Sequence, residues 1–285
     1  MIKTLITLMM SLVLAGCKSG AFAPKGMIAE AELKLIIFSA VLMLLVVIPV
    51  ILMALWFAFR YREGNNAKYT PEWTHSTLLE VIWWTIPCIL ILILGTVTWY
   101  TTHSLDPYKP LDSKIKPVKV EVVSMDWKWL FIYPDYQIAT VNYLKIPAGT
   151  PIDFKITAAS PMNSFIIPQL GGQIYAMTGM TTQLHLMANA PGTYRGLATN
   201  YTGIGFSGMH FDTDSTTPEQ FADWVKTVKA ASPDQLTSKF FWETLMPKSI
   251  DNPVHYFGRV DNGLFDEIVM HYMMPSNLII EKESI

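Results

Sequence analysis

The chain contains 285 residues, 51% of them hydrophobic, and its 21 basic residues nearly balance its 23 acidic ones. A formal net charge of −2 argues against a basic nucleic-acid-binding surface, whereas the apolar share is typical of membrane spans joined to a soluble domain. The two cysteines, Cys17 and Cys88, lie far apart in apolar segments, which argues against a disulfide framework and a cysteine-based zinc site.

Residues 1–16 are predicted to be a lipoprotein signal peptide. Lys3 provides the charged start, an apolar run follows, and small residues precede Cys17. The segment Leu14-Ala15-Gly16-Cys17 resembles the bacterial lipobox, whose cysteine is lipidated and becomes the new N-terminus. Cys17 is therefore the predicted lipidation site, and residues 17–32 are expected to form a periplasmic N-terminal segment. The alternative is an ordinary signal peptide with an incidental cysteine.

Two apolar runs predict transmembrane helices at residues 33–59 and 78–101, because about 20 apolar residues suffice to cross a bilayer. Pro49 lies inside the first run, and neighbouring helices can compensate for its missing backbone donor. The polar residues 60–77 form the loop between the two helices. Tryptophan and tyrosine near the ends of the second run suit the membrane interfaces.

The orientation of the hairpin follows from two signals. Arg60, Arg62 and Lys68 favour a cytoplasmic loop by the positive-inside rule, although lysines beyond the second run weaken the asymmetry. The lipobox decides the orientation, because it places Cys17 outside. We therefore expect a multi-pass protein of the bacterial inner (plasma) membrane, with an N-terminal lipid anchor and its large domain in the periplasm.

Residues 102–117 form a proline-punctuated linker, and residues 118–213 contain short β-rich runs bounded by Pro, Gly and Asn, which predict a small antiparallel sandwich or barrel. The predicted strands are Val118–Ser124, Ile138–Ile146, Ile152–Ala158, Thr181–Ala188 and Thr193–Thr199. Residues 214–285 are predicted to form a helical arm that contains aromatic residues. Its first helix starts at Thr217-Pro218-Glu219-Gln220, and further helices are expected at Leu236–Leu245 and Leu264–Met274.

Three motifs carry a family resemblance: Asp126–Pro134 (DWKWLFIYP), Met162–Phe165 (MNSF) and Gly205–Met209 (GFSGM). With the two spans and the external β domain, they resemble subunit II of the haem–copper respiratory oxidases, closest to the quinol oxidase branch of the cytochrome bo type. The lipobox and the C-terminal extension also fit that branch. The resemblance implies an α+β membrane protein: a two-helix transmembrane hairpin, a periplasmic cupredoxin-like β-sandwich or barrel, and a helical C-terminal extension.

The same resemblance identifies the positions of a lost dinuclear copper centre. In the cytochrome c oxidase branch, the loop carries Cys-x-x-x-Cys-x-x-x-His-x-x-Met, a glutamate whose backbone carbonyl assists, and an upstream histidine followed by serine. The corresponding positions here are Asn163, Ala198, Asn200, Thr202, Phe206 and Met209. Only Met209 keeps a ligating side chain, and one thioether is a poor copper site. We therefore expect this chain to bind neither a metal nor another cofactor.

The resemblance implies a subunit of a proton-pumping respiratory quinol:oxygen oxidoreductase. Haems and copper are expected in the partner, a many-span catalytic subunit I, where quinol would be oxidised; further small membrane subunits and lipid are also expected partners. A cytochrome c oxidase subunit is the first alternative, and the absent cysteines argue against it. The second is a lipoprotein with a cupredoxin-like binding module or a copper chaperone. A chaperone should expose Met/His clusters, whereas the methionines are expected mainly in spans and apolar runs.

Glu80 lies just inside the second span, where ionisable groups are costly and are functional candidates. Because it follows the apolar start closely, it could instead extend to the membrane interface. The resemblance favours a role at the mouth of a proton-uptake channel of the catalytic subunit.

His185 and His210 have no further ligands at suitable spacing, so both are expected to be structural. The aromatic strip Trp127, Trp129, Phe131 and Tyr133 is expected to pack against the catalytic subunit.

Overall fold

The computed structural model describes residues 20–64 and 71–273, which belong to two compact units. One unit, Glu32–Asp106, contains most of the helical hairpin. The other combines the N-terminal segment up to Ala31 with the chain from Pro107 onward. The predicted lipidation site, Cys17, lies outside the described residues.

The two apolar runs form helices α1 (Met27–Arg60) and α2 (Thr77–Ser104). In the part of the chain that the structure describes, these are the two helices long and apolar enough to cross a membrane. Their large apolar side chains are exposed on all sides, which is the pattern of helices that face lipid rather than a protein core. Both are longer than predicted, since α1 begins at Met27 rather than residue 33 and α2 ends at Ser104 rather than residue 101.

The soluble unit contains two packed β-sheets with strands β1 (Val118–Met125), β2 (Lys128–Tyr133), β3 (Ile138–Val141), β4 (Tyr143–Pro147), β5 (Ile152–Ala158), β6 (Asn163–Ile167), β7 (Gly171–Ala176), β8 (Thr182–Leu186), β9 (Gly192–Ala198) and β10 (His210–Thr216). A strand of the arm, β12 (His255–Phe257), joins the six-stranded sheet, whose order is β12-β3-β2-β1-β5-β8. The five-stranded sheet has the order β4-β10-β9-β6-β7. Large aromatic side chains fill the space between the sheets, including Trp129, Phe131, Phe154, Phe165 and Phe211.

The predicted strand Ile138–Ile146 is wrong, because the structure divides it into β3 and β4, which belong to different sheets. Asn142 separates the two strands with a φ of 54°, a left-handed conformation that asparagine tolerates better than most residues. Its side chain stabilises the corner: Oδ1 accepts the Trp129 backbone N–H at 2.8 Å and Nδ2 donates to the Asn252 carbonyl at 2.9 Å. The chain thereby crosses from one sheet to the other.

The C-terminal arm is not purely helical, in contrast to the prediction. It contains α3 (Pro218–Ala231), β11 (Gln235–Leu236), the short α4 (Ser238–Phe240), a π-helical turn (Phe241–Leu245), β12, β13 (Arg259–Val260) and α5 (Leu264–Met273). The predicted start of α3 is confirmed, since Thr217 and Gln220 form a reciprocal capping box. Short strands were missed because pairing partners, not local pattern, create two-residue strands.

A second apolar core lies between the arm and the outer face of the six-stranded sheet. Along β2, Trp129, Phe131 and Tyr133 point into the sandwich, whereas Leu130 and Ile132 point toward the arm. Both faces of β2 are therefore buried, which explains its nearly continuous apolar sequence. The arm contributes large side chains to this second core, among them Leu236, Phe241, Phe257, Phe265 and Ile268.

The N-terminal segment is bound to the β domain ahead of α1. Lys25 and Gly26 donate their backbone N–H groups to the Gln169 carbonyl at 2.7 and 3.1 Å, and Gly26 bridges to Ala188. A Cβ at Gly26 would lie 2.7 Å from the Leu170 carbonyl oxygen, so the close approach requires glycine.

Candidate functional site

The site that the sequence predicts to have lost its copper lies between the start of β6 and the loop from β9 to β10. Asn163 and Met209 are 1% and 2% exposed, and the Asn163 Nδ2 donates to the Met209 sulfur at 3.0 Å. Asn163 Oδ1 accepts the backbone N–H of Ser164 at 2.8 Å. One buried amide therefore connects the start of β6 to the loop between β9 and β10. These are the two segments that the resemblance predicts to hold the metal in copper-binding members of the family.

A second polar contact extends this bridge. The Ser164 hydroxyl donates to Asn200 Oδ1 at 2.9 Å, and the Thr199 N–H donates to the Ser164 carbonyl at 3.3 Å. Ala198 pairs with Phe165 across the sheet and donates its N–H to the Met209 carbonyl at 3.2 Å. With Phe206, whose carbonyl also bonds Met209, five of the six predicted positions therefore belong to one small network: Asn163, Ala198, Asn200, Phe206 and Met209.

Thr202 and Phe206 lie on the loop between β9 and β10, as do Asn200 and Met209. Phe206 begins a 3₁₀ turn, is half-buried, and accepts the Met209 N–H through its carbonyl at 3.0 Å. Thr202 has a buried hydroxyl without a hydrogen-bond partner among the described residues. Along the ranges 20–64 and 71–273, no group of three or more His, Cys, Asp or Glu side chains could hold a metal. The donors present are amide, hydroxyl and one thioether, a set that does not fit a copper centre.

The two histidines considered as ligands lie apart from this network and make different contacts. His185 is 8% exposed, and its Nδ1 lies 2.8 Å from Asp153 Oδ1 on the neighbouring strand. His210 follows Met209 at the start of β10, with a buried Nδ1 that finds no partner in the described part of the chain. The contact of His185 agrees with the structural role predicted for it.

The prediction that the aromatic strip packs against a partner subunit is wrong for most of its members. Trp129, Phe131 and Tyr133 are 0% exposed within this chain, so their side chains belong to its own core. Burial raises the pKa of the Tyr133 hydroxyl, which exchanges hydrogen bonds with the Lys145 backbone at 2.9 Å. Successive side chains of β2 point alternately into the sandwich core and into the core under the arm. This arrangement can be recognised only when the position of the arm is known.

Trp127 is the member of the strip that contacts the loop between β9 and β10. Its φ of 64° is left-handed, which is rare for a bulky residue. Its ring packs on two glycines: a Cβ would lie 2.4 Å from the ring at Gly205 and 3.1 Å from it at Gly203. From the arm, Lys248 places Nζ 6.0 Å from the ring centroid and 3.4 Å from an oxygen of Asp126.

A buried lysine, which sequence reasoning missed, attaches the arm to this region. Lys128 is 2% exposed, and its Nζ donates to the Pro247 carbonyl at 2.7 Å and to the Ser249 hydroxyl. Burial lowers the Lys128 pKa, and the negative charge of Asp126 partly opposes this shift. In the sequence, Lys128 is marked only as a charged residue between two tryptophans. A lysine exposed to solvent at a sheet edge would have the same pattern, so its burial could not be predicted.

Glu80 lies in the first turn of α2, at the end that the prediction places in the cytoplasm. Its carboxylate is 3.3 Å from His75 Nδ1, and both side chains are largely exposed. A carboxylate in the first turn also interacts favourably with the positive end of the helix dipole. The structure thus places Glu80 beside a second titratable group that the sequence analysis did not single out.

Comparisons with known proteins agree with this combination of elements. The family described as "Cytochrome C oxidase subunit II, periplasmic domain" matches residues 98–216, and "COX Aromatic Rich Motif" matches residues 230–276. "Ubiquinol oxidase subunit 2" of Acetobacter aceti is 51% identical over 277 residues, which cover 96% of this chain and 89% of that protein.

The chain belongs to the family of ubiquinol oxidase subunit 2. "Cytochrome bo(3) ubiquinol oxidase subunit 2" of Pseudomonas aeruginosa is 50% identical over 94% of this chain and 80% of its own length. The protein of the same description from Buchnera aphidicola subsp. Schizaphis graminum is 46% identical over 94% and 92%. The predicted family and fold class are confirmed: two apolar helices, a cupredoxin-like β-sandwich and a C-terminal extension that contains a helix.

Proposed function

We propose that this chain is the non-catalytic subunit II of a proton-pumping quinol:oxygen oxidoreductase of the cytochrome bo type. Quinol oxidation and oxygen reduction take place in a many-span subunit I that holds the haems and the copper, and further small membrane subunits complete the complex. Membership of the ubiquinol oxidase subunit 2 family supports the complex. The Asn163–Met209 contact supports the absence of a copper relay in this chain.

The chemistry of the Asn163 amide and the Met209 thioether explains why their contact supports the proposal. The Asn163 amide donates an N–H hydrogen bond to the Met209 sulfur. The sulfur therefore faces a hydrogen-bond donor and not a second metal ligand. A copper ion needs several soft donors that converge. Reducing equivalents then reach subunit I from quinol within the bilayer, because quinol is membrane-soluble and requires no external relay.

Copper analysis of the purified complex tests this proposal. We expect all redox-active copper of the complex to be accounted for by subunit I, and the chain expressed alone to show no visible or near-infrared band after copper loading. The variant M209L should behave like the unmodified chain in both measurements. A stoichiometric, redox-active copper signal that M209L abolishes would overturn the proposal.

We further propose that the chain is anchored in the inner membrane by lipid on Cys17 as well as by its two helices, after removal of residues 1–16. The β domain then lies in the periplasm. Mass spectrometry of the mature N-terminus should find an acylated Cys17, and C17S should lack the modification yet remain in the membrane because α1 and α2 persist. An unmodified, uncleaved N-terminus in the native complex would contradict this assignment.

Glu80 is proposed to accept cytoplasmic protons for uptake by subunit I. Its position in the first turn of α2 and its contact with His75 place a carboxylate and an imidazole side by side, and both kinds of side chain can carry a proton. E80Q should lower turnover and proton pumping most strongly at high pH, where protons are scarce. E72Q, at an exposed carboxylate of the adjoining loop, is the control. Equal pH profiles for the two variants would remove the assignment.

A further inference from the structure

Five methionines lie on three segments that meet at one corner of the β domain, although the sequence suggested that methionines would occupy mainly spans and apolar runs. They are Met162, Met177, Met180, Met270 and Met273. Met162, Met180, Met270 and Met273 are 47%, 54%, 48% and 60% exposed. Large apolar side chains are usually buried in a soluble domain, so a group of exposed thioethers requires an explanation.

Backbone contacts hold three segments of this corner together. Residues 159–162 precede β6, residues 177–180 form the turn after β7, and Met270 and Met273 belong to the last turns of α5. Thr178 donates its hydroxyl to the Ser160 carbonyl at 2.8 Å, and Tyr272 donates its hydroxyl to the Ala159 carbonyl at 2.9 Å. The positions of the five methionines are therefore fixed relative to one another by the fold.

Several of the methionines are close in the backbone. Asn163 and Ala176 are the last partners in the antiparallel pairing of β6 and β7, and Met162 and Met177 are the residues that flank this pair. The Met180 N–H donates to the Met177 carbonyl at 3.3 Å. The Met273 Cγ lies 3.6 Å from the Cβ position of Gly179, and Met270 is one helical turn earlier.

We propose that this methionine corner binds a soft monovalent ion, Cu(I) in nature and Ag(I) as its analogue. Thioether sulfur selects Cu(I) among the biological metals, and unbranched methionine side chains can reorient their sulfurs around an ion. The bound ion keeps its oxidation state, so no electron acceptor is required.

This site is distinct from the former copper loop. Met209 is 2% exposed and accepts a hydrogen bond from Asn163, whereas Met162, the residue before Asn163, is exposed on the outside. The five residues that define the methionine corner are thioethers and not thiolates, so the corner can hold a transferable ion but does not form the thiolate-bridged centre of a redox relay. It can be present whether or not the chain functions in quinol oxidation.

Anaerobic Cu(I) competition against bicinchoninate, with the full-length chain in detergent, tests the proposal. The corner variant is M162L/M180L/M273L, because leucine conserves volume while removing sulfur. The control variant is M27L/M43L/M53L, which replaces three exposed methionines of α1. We expect about one Cu(I) per chain, at least about tenfold weaker binding in the corner variant, and unchanged binding in the control.

Ag(I) titration of the chain labelled with methyl-¹³C methionine locates the ion independently. The methyl signals of the corner should shift together and saturate at one equivalent, while those of α1 should remain unchanged. No Cu(I) binding, equal losses in the two variants, or shifts spread evenly over all methionines would each overturn the proposal. This test does not depend on the copper that subunit I holds in the complex. The methionine-corner proposal can therefore fail while the proposed function stands.

Discussion

Removing the Asn163 side chain tests the inference that an amide now joins the two segments of the former copper site. In N163A, the backbone N–H of Ser164 loses its acceptor, and the Met209 sulfur loses its donor. All three residues are at most 2% exposed, so water cannot replace the lost partners without entering the core. The variant should fold and be less stable.

The expected loss of stability combines three contributions. A buried backbone N–H without a partner costs about 1–3 kcal/mol. The thioether is only a weak acceptor, so its loss contributes little. The vacated amide volume adds a cavity contribution that increases with the void that remains. We therefore expect the free energy of unfolding to fall by about 2–4 kcal/mol.

Guanidinium denaturation of the full-length chain in detergent, followed by tryptophan fluorescence, measures this difference. The midpoint should fall while the slope stays constant, because the surface exposed on unfolding is unchanged. Q173A removes an exposed amide from the adjacent strand β7 and should change stability by less than about 0.5 kcal/mol. If N163A and Q173A have the same midpoint, the amide does not stabilise the loop pair and the reasoning is refuted.

Other substitutions test the remaining features. G26V should release the N-terminal segment from the β domain, because a Cβ at residue 26 would lie 2.7 Å from the Leu170 carbonyl oxygen. Hydrogen exchange of residues 23–30 should then accelerate. The control G95A should leave it unchanged, because no atom lies within 4 Å of a Cβ at residue 95. F241A should lower the free energy of unfolding by about 3–5 kcal/mol, because Phe241 is fully buried in the core under the arm. The control is Y201A, since Tyr201 is 79% exposed. Equal denaturation midpoints for the two variants would show that the arm core adds no stability. Burial raises the Glu121 pKa, so its contribution to stability is fully present below the unfolded pKa and is lost as pH rises through the folded pKa. E121Q should therefore stabilise the chain at pH 7.5 but not at pH 4 in the same titration, and an equal gain at both values would contradict the burial argument.

Local patterns were sufficient to predict several elements of the fold. The two apolar runs predicted α1 and α2 because lipid-facing helices require apolar residues on every side. The strand Ile152–Ala158 has its predicted bounds, and the Thr217 capping box marked the start of α3, since both depend on neighbouring residues alone. The family and the six positions predicted to have lost their copper came from motif resemblance, and the structure brings five of those positions into one network.

The features that were missed depend on contacts between distant segments. The corner at Asn142 relies on a hydrogen bond to Asn252, which is 110 residues further along the chain. Lys128 is buried only because residues 247–249 pass over it. The methionine corner was similarly invisible, because its members come from segments that alternation and periodicity treat separately.

The arm that covers the outer face of the six-stranded sheet follows the strands of the sandwich in the chain, so it is synthesised after them. Until the arm docks, Val123, Leu130 and Ile132 have no cover on that side, although the sandwich itself can already close. A newly synthesised chain therefore passes through a state with an exposed apolar face, which is vulnerable to self-association. A chain truncated after Thr216 should remain in that state permanently and accumulate as aggregate.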